Sequence, residues 1–216
     1  MVGAFLTFWR WFQLIKNRII AGICILFGVV MLAIPFFYHI KGISDTERLL
    51  EDFTEAVEEK QDEETTGEKE EQTTLGEANA AIFSEGNVIA ILEVEALGIR
   101  YPVLEGATAD NLNKGIGHLK ETAGIGEIGN CVLAGHNGSR HGEFFTHLSE
   151  LAVGDTVTVM NAEGKVFTYV VSDSYTVGPC ENSIKDQGEE KKLTLFTCSQ
   201  KGTMRYVVRC LLKEAM

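Results

Sequence analysis

KLTLFTCSQKGTMRYVVRCLL, residues 192–212, is the stretch on which the class of fold turns. β-branched and aromatic residues fill both halves, and the polar break SQKGT (199–203) parts them, so it reads as strand, short loop, strand. The same texture recurs upstream, in short runs broken by Gly, Asn and Asp. Strands are predicted near 87–95, 98–104, 130–135, 155–160 and 165–177, besides 192–198 and 204–212. Glycine turns at Gly154-Asp155 and Glu163-Gly164 make 155–170 a hairpin. Two helical turns interrupt the strands. One runs around 108–119, with Asp110, Leu112, Ile116 and Leu119 on one face. The other is EFFTHLSEL (143–151), burying Phe144, Phe145, Leu148 and Leu151. About 130 residues in some eight short strands fit an all-β domain, a closed barrel or a sandwich. That size buries an adequate core without disulfides.

Upstream of the domain the composition changes twice. Residues 19–40, IIAGICILFGVVMLAIPFFYHI, contain no Asp, Glu, Lys or Arg. A helix of that length, at about 1.5 Å per residue, spans a hydrocarbon core of roughly 30 Å. Arg10, Lys16 and Arg18 precede it, which holds the N-terminus in the cytoplasm. Trp9, Trp11 and Phe12 at one end, and Phe36, Phe37 and Tyr38 at the other, suit the two membrane interfaces. A cleaved signal peptide would have a shorter apolar run and an A-x-A-like site after it. The expectation is therefore a cytoplasmic 1–18, a single-pass transmembrane helix at 19–40, and everything later outside the cell.

Residues 41–86 read as an acidic tether. Segment 45–77 holds 14 of the 31 acidic residues against only Arg48, Lys60 and Lys69. Within it, 44–60 places Leu49, Leu50, Phe53 and Val57 at helical spacing, a short amphipathic helix with a spacer role or, alternatively, a lid. Segment 61–74 has no large apolar residue and is expected to stay disordered. The remaining 78–216 carry 17 acidic and 12 basic residues, a formal −5, so the overall −12 comes mostly from the tether. No basic footprint for nucleic acid exists.

The domain proper is 87–216, and its chemistry begins with cysteine. Cys24 belongs to the membrane segment, and Cys131, Cys180, Cys198 and Cys210 show no CxxC or zinc spacing. Free thiols are unusual outside the cell, so at least one needs a chemical reason to stay free. Cys131 and Cys210 sit in apolar strands, where a small buried residue is the default. Cys180 follows Pro179 in a loop without an evident partner. Cys198 ends a strand, where a side chain meets solvent on a rigid backbone. Arg205 follows seven residues later; if the two strands pair antiparallel, its guanidinium stands beside the thiol and can steady a thiolate or an oxyanion. In NCVLAGHNGSRHGEFF (130–145), His136 ends another apolar strand. His39 lies at the membrane edge, His118 and His147 fall on the helical turns, and His141 in the loop is the competitor. A His and a Cys at two strand ends form the minimal pair for nucleophilic catalysis.

These residues carry a resemblance. TLFTC (194–198), an Arg opening the next strand, and Ala134-Gly135-His136 upstream resemble the TLxTC signature of the sortase family with its distant His and Arg. The likeness continues through FFTHLSELAVGD (144–155), Val177-Gly178-Pro179, Ile184 and Gly188, and covers roughly residues 87–213. It implies a closed eight-stranded β-barrel preceded by the transmembrane helix, with Cys198, His136 and Arg205 in one groove. It further implies cleavage of an LPxTG-like C-terminal sorting signal of a surface protein between Thr and Gly. A thioacyl enzyme then passes the acyl group to an amine on a peptidoglycan precursor or another acceptor. On this resemblance Cys198 is the nucleophile and His136 the acid, then base; Arg205 holds the oxyanion, and Thr197 shapes the substrate groove. Arg209 shares the face of Arg205, but the family pattern selects the first Arg. No metal or organic cofactor is implied. Some members bind calcium, for which Glu181, Asp186, Glu189 and Glu190 are the acids at hand, although loop acids are usually just solvated.

The short segment between 177 and 192, the lack of a second membrane segment after 213 and of an Asp-Pro-aromatic lid in 41–86 point to a protein-anchoring enzyme of class A or D, away from pilus building. Two competitors stand beside it. An L,D-transpeptidase shares the order of His141-Gly142 and a later Cys but lacks its Ser-x-Gly-Cys context around Cys198. The other is a non-catalytic membrane-tethered adhesion module.

Overall fold

A computed structural model describes residues 22, 24–34, 44–60, 86–138 and 143–213. The chain divides into two units, Met1–Ile40 and Lys41–Met216. In the first, residues 22 and 24–34 are helical (α1). The rest of the predicted 19–40 span, with its basic and aromatic flanks, lies outside the described residues, as do His39 and the predicted disorder of 61–74. Among the described residues no helix is long and apolar enough to cross a membrane.

The second unit is an eight-stranded barrel. Its strands are β1 (Val88–Val94), β2 (Ile99–Glu105), β3 (Ile116–His118), β4 (Gly129–Gly135), β5 (Thr156–Asn161), β6 (Val166–Val177), β7 (Lys191–Ser199) and β8 (Met204–Leu212). They close in the order β1-β2-β3-β4-β7-β8-β6-β5, which decides for a barrel over a sandwich. Period-2 alternation explains the core: Leu92, Val94, Val103, Leu133, Val157, Tyr169, Leu193 and Leu195 turn inward and are almost wholly buried. The buried Tyr169 hydroxyl accepts the Gly126 N–H at 2.9 Å, so its polar end is satisfied inside.

The seven expected strands are all present, with ends shifted by a residue or two. The eighth, β3, replaces part of the expected 108–119 helix. Only Ala109–Leu112 (α3) is helical, opened by Thr108, whose side chain accepts the Asn111 N–H. Gly115 then passes so close to β2 that a Cβ would lie 2.4 Å from the Pro102 carbonyl oxygen. Ile116–His118 is drawn into parallel pairing with β2 and antiparallel pairing with β4. Ladder bonds to two neighbours outweigh the local helical pattern. The 143–151 segment buries the four expected residues, yet only Leu148–Glu150 forms a helical turn, of the 3-10 kind.

Residues 44–60 form one helix, α2, and it is docked. Phe53 and Val57 pack on Ile91 and Ala162, with Leu50, Val88 and Met160 at the margin. Ile91 is the outward residue of β1 between inward Ala90 and Leu92, so without α2 it would face water. Thr46 adds a hydrogen bond from its hydroxyl to the Lys114 carbonyl at 2.8 Å. Burial of Phe53 and Val57 is worth about 1.5–3 kcal/mol each. The helix thus covers β1 and the end of β5, across the barrel from β4, β7 and β8.

Candidate active site

The site is assembled by two strand pairings. β4 runs parallel to β7 with Gly135 opposite Thr197, so His136, the next residue, enters beside Cys198. β7 runs antiparallel to β8 with Cys198 directly opposite Arg205. Register partners project to the same face of a sheet. Cys198 therefore stands between His136 and Arg205 on the outer surface of the barrel.

Alternation along β7 fixes which face that is. Leu193 and Leu195 point into the core, and Thr197 follows them inward. The Thr197 hydroxyl is buried and donates to the Gly135 carbonyl at 2.8 Å, tying the end of β4 to β7. Phe196 points outward into a small apolar patch with Leu119, Val132 and Ala134, and Cys198 follows it, exposed. Asn137 adds a second tie: its side-chain N–H donates to the Cys198 carbonyl at 2.7 Å.

His136 is half-buried, and its carbonyl accepts the Phe145 N–H at 3.0 Å. Behind the imidazole sits Phe144, with ring centroids 6.3 Å apart, itself stacked on Tyr101 at 4.9 Å. Phe144 holds φ at +40°, uncommon for a bulky residue, and its N–H donates to the Tyr101 hydroxyl at 3.2 Å. Gln200 and Lys201, in the turn after Cys198, also hold positive φ, at +47° and +58°.

The other histidines are placed elsewhere. His118 is buried in β3, with Nδ1 2.9 Å from Glu105 Oε2 and Nε2 3.1 Å from the Ala123 carbonyl. His147 is exposed, and its hydrogen bond to Glu150 raises its pKa above the usual imidazole value. His141 lies outside the described residues. Arg205 bonds the Gly202 and Met204 carbonyls of its own hairpin, both through Nη1. Arg209 faces Thr194 across β7 and stacks over the Tyr175 ring at 4.9 Å.

Arg205 is among the residues that line a cavity of about 510 Å³. Phe196 and Leu119 contribute an apolar floor, while Ile184 and Lys185 of the β6–β7 connection form one wall. Glu121 stands on the opposite wall and bonds Lys185 at 2.5 Å; that hydrogen bond holds its carboxyl below the usual range. A cavity with apolar lining and a guanidinium, whose Arg205 is the cross-strand partner of the Cys198 thiol, suits acyl transfer from a peptide. Among the described residues no three His, Cys, Asp or Glu side chains gather as a metal site. Glu181 instead accepts the Ser183 N–H at 3.0 Å, a bond that lowers its pKa.

The thiols separate cleanly. Cys131 and Cys210 are buried, which pushes Cys131 far above the usual thiol value and Cys210 up to about 12. Cys180 and Cys198 in the barrel, and Cys24 in α1, are exposed. Iodoacetamide applied to the native chain near pH 8 is expected to modify Cys180 and Cys198 and to spare Cys131 and Cys210, because only a thiolate reacts. Peptide mass spectrometry reads the outcome; equal labelling of Cys131 and Cys198 would contradict the burial argument.

Sequence reasoning singled out Cys198, His136 and Arg205; strand register sets Cys198 opposite Arg205, and Gly135, the residue before His136, opposite Thr197. It missed Asn130, whose signal was a polar residue opening an otherwise apolar strand, and Gln187, which carried no signal at all.

Comparison with known proteins gives this site a family. A sortase-domain model matches residues 92–213. The chain is 31% identical over 185 residues to Sortase D of Bacillus subtilis (strain 168), covering 84% of this chain and 89% of that one. It is 30% identical over 142 residues to Sortase A of Bacillus anthracis, covering 65% and 67%. The solved Clostridium perfringens sortase D5 transpeptidase superposes with a TM-score of 0.65 at 27% identity, covering 79% of this chain and 99% of the other. With the closed barrel and the Cys198–Arg205 register pair, these matches make the chain a member of the sortase family of cysteine transpeptidases.

Proposed function

We propose that this chain is a membrane-anchored sortase that cleaves an LPxTG-like sorting signal between Thr and Gly and transfers the surface protein to an amine. The supporting observation is the register that sets Cys198 opposite Arg205, which lines the cleft, and sets Gly135, the residue before His136, opposite Thr197. The Cys198 thiolate attacks the scissile carbonyl and forms a tetrahedral oxyanion. Arg205 donates to that oxyanion through the guanidinium N–H groups its hairpin leaves over. The C–N bond breaks as His136, protonated, gives its proton to the leaving amine, and a thioester on Cys198 remains. An incoming amine then attacks the thioester, His136 takes up its proton, and the thiolate departs. Thr197 shapes the groove from behind, by fixing β4 on β7. This chemistry requires no metal or organic cofactor.

The acceptor is a peptidoglycan precursor amine or another cell-wall amine, and the enzyme anchors proteins in the manner of class A or D. Relatives named Sortase A and Sortase D at similar identity support that reading. The apolar 19–40 stretch and its basic flank support a single-pass anchor with the barrel outside the cell.

A panel of quenched sorting-signal peptides, with mass spectrometry of the trapped enzyme, tests the proposal. The expected result is cleavage after Thr and an acyl adduct on Cys198. Turnover of peptidoglycan stem peptides without any sorting peptide would reveal an L,D-transpeptidase, and no adduct with either would reveal a binding module.

A further inference from the structure

Asn130 is 2% exposed, a polar side chain between the apolar outward positions of β4 and the 184–187 run. A buried carboxamide is tolerated only when its donors and acceptor are all paired, and the destinations of these bonds are informative. Its Nδ2 donates to the Ile184 carbonyl at 2.9 Å and the Asp186 carbonyl at 3.2 Å. Its Oδ1 accepts the Thr194 hydroxyl of β7 at 2.7 Å. The main chain of Asn130 is held too: its N–H donates to Gln187 Oε1 at 2.9 Å, and its carbonyl accepts Gln187 Nε2 at 3.2 Å. Gln187 Nε2 reaches the Lys185 carbonyl as well, at 2.8 Å. Gly129 makes room for this, since a Cβ there would come within 2.5 Å of Gln187 Oε1.

Five of these six bonds therefore join two side chains to the short run 184–187 or to β4 beneath it. The run's own regular structure is one 3-10 turn, Ser183–Lys185, with Ile184 buried beneath it. It supplies Ile184 and Lys185 to the cleft. The second contact across the cleft, Lys185 to Glu121, is solvent-exposed on both sides and contributes little rigidity.

We infer that Asn130 and Gln187 are positioning residues that pin the β6–β7 wall of the cleft and so set peptide capture, with no part in the thiol chemistry. The inference rests on the reading of the cleft as the sorting-peptide site, and two independent readouts keep the two apart. The first is amide hydrogen exchange over 178–190 in the full-length chain, which needs no substrate. The second is steady-state cleavage of a sorting-signal peptide, with iodoacetamide labelling of Cys198 as a measure of the thiol alone.

Gln187 is exposed, so Gln187→Ala leaves the barrel intact. Its loss is expected to speed exchange over 183–187 about tenfold and to raise KM roughly three- to tenfold, with kcat and Cys198 labelling within about twofold. Asn130→Ala, which also orphans the buried Thr194 hydroxyl, is expected to shift the same quantities further. Unchanged exchange in Gln187→Ala overturns the pinning. Faster exchange with unchanged KM overturns the link from wall to peptide and indicts the cleft assignment. If even the unaltered chain cleaves no sorting peptide, the proposed function fails, while exchange still decides the pinning.

Discussion

Cys198→Ala is expected to lower cleavage of a sorting-signal peptide on the order of 10⁶-fold, to background, because deleting a covalent nucleophile removes the reaction path itself. The fold should not suffer. The thiol is exposed and packs in no core cluster, and the ties around it run through main chain or neighbours: Asn137 holds the Cys198 carbonyl, and Thr197 holds Gly135. Urea unfolding of the variant should match the unaltered chain within about 0.5 kcal/mol, as for surface substitutions generally. Cys131→Ala and Cys210→Ala are the contrasting controls. Both thiols are buried in the main core, so each should lose about 1 kcal/mol or more of stability and keep its activity per folded molecule. An acyl adduct found on Cys131, or full turnover by Cys198→Ala, would sink the site assignment.

Arg205 should matter nearly as much. Loss of one oxyanion donor slows the chemical step by about 10²–10³-fold, and Arg205→Ala is expected to slow single-turnover acylation of Cys198 by that order. Arg205→Lys should be little better. A guanidinium can bond two acceptors at once, whereas an ammonium is a compact charge on a flexible stem, with no planar fork to share between hairpin carbonyls and an oxyanion. Arg209 is the natural control. It lies four residues along β8, about 13 Å at ~3.3 Å per residue, and its guanidinium already rests on Tyr175. Arg209→Ala should cost far less. Normal acylation by Arg205→Ala together with slow acylation by Arg209→Ala would show that the wrong arginine had been given the oxyanion.

What could be read from the sequence depended on how local each feature was. Cys198 and Arg205 were legible together because a four-residue loop turns a separation of seven into a cross-strand pair. The position of His136 beside them was not, since β4 and β7 are parallel neighbours far apart in the chain, and only the family resemblance joined them. β3 escaped because three residues ending in Gly-His have no period to detect; their pairing partners make them a strand. The apolar stripe of 44–60 announced an amphipathic helix but named no surface for it. Gln187 was invisible for a related reason: its amide pairs with the main chain of a residue 57 positions away.

The docking of α2 changes how the acidic stretch behind it should be understood. With Val57 seated on Ile91 and β1 beginning at Val88, both ends of the connection between α2 and β1 are fixed on one wall. That connection is an excursion closed at both ends. Halving or doubling such an excursion alters its closure entropy by only about 0.6 kcal/mol, so its length and charge are free to vary with little effect on the barrel. The mechanical load path is different. A pull from the N-terminal side reaches the barrel through Phe53 and Val57, sheared against β1, before it can tug on a strand end. The wall that carries α2 thus lies opposite the one that carries Cys198 in the same closed barrel.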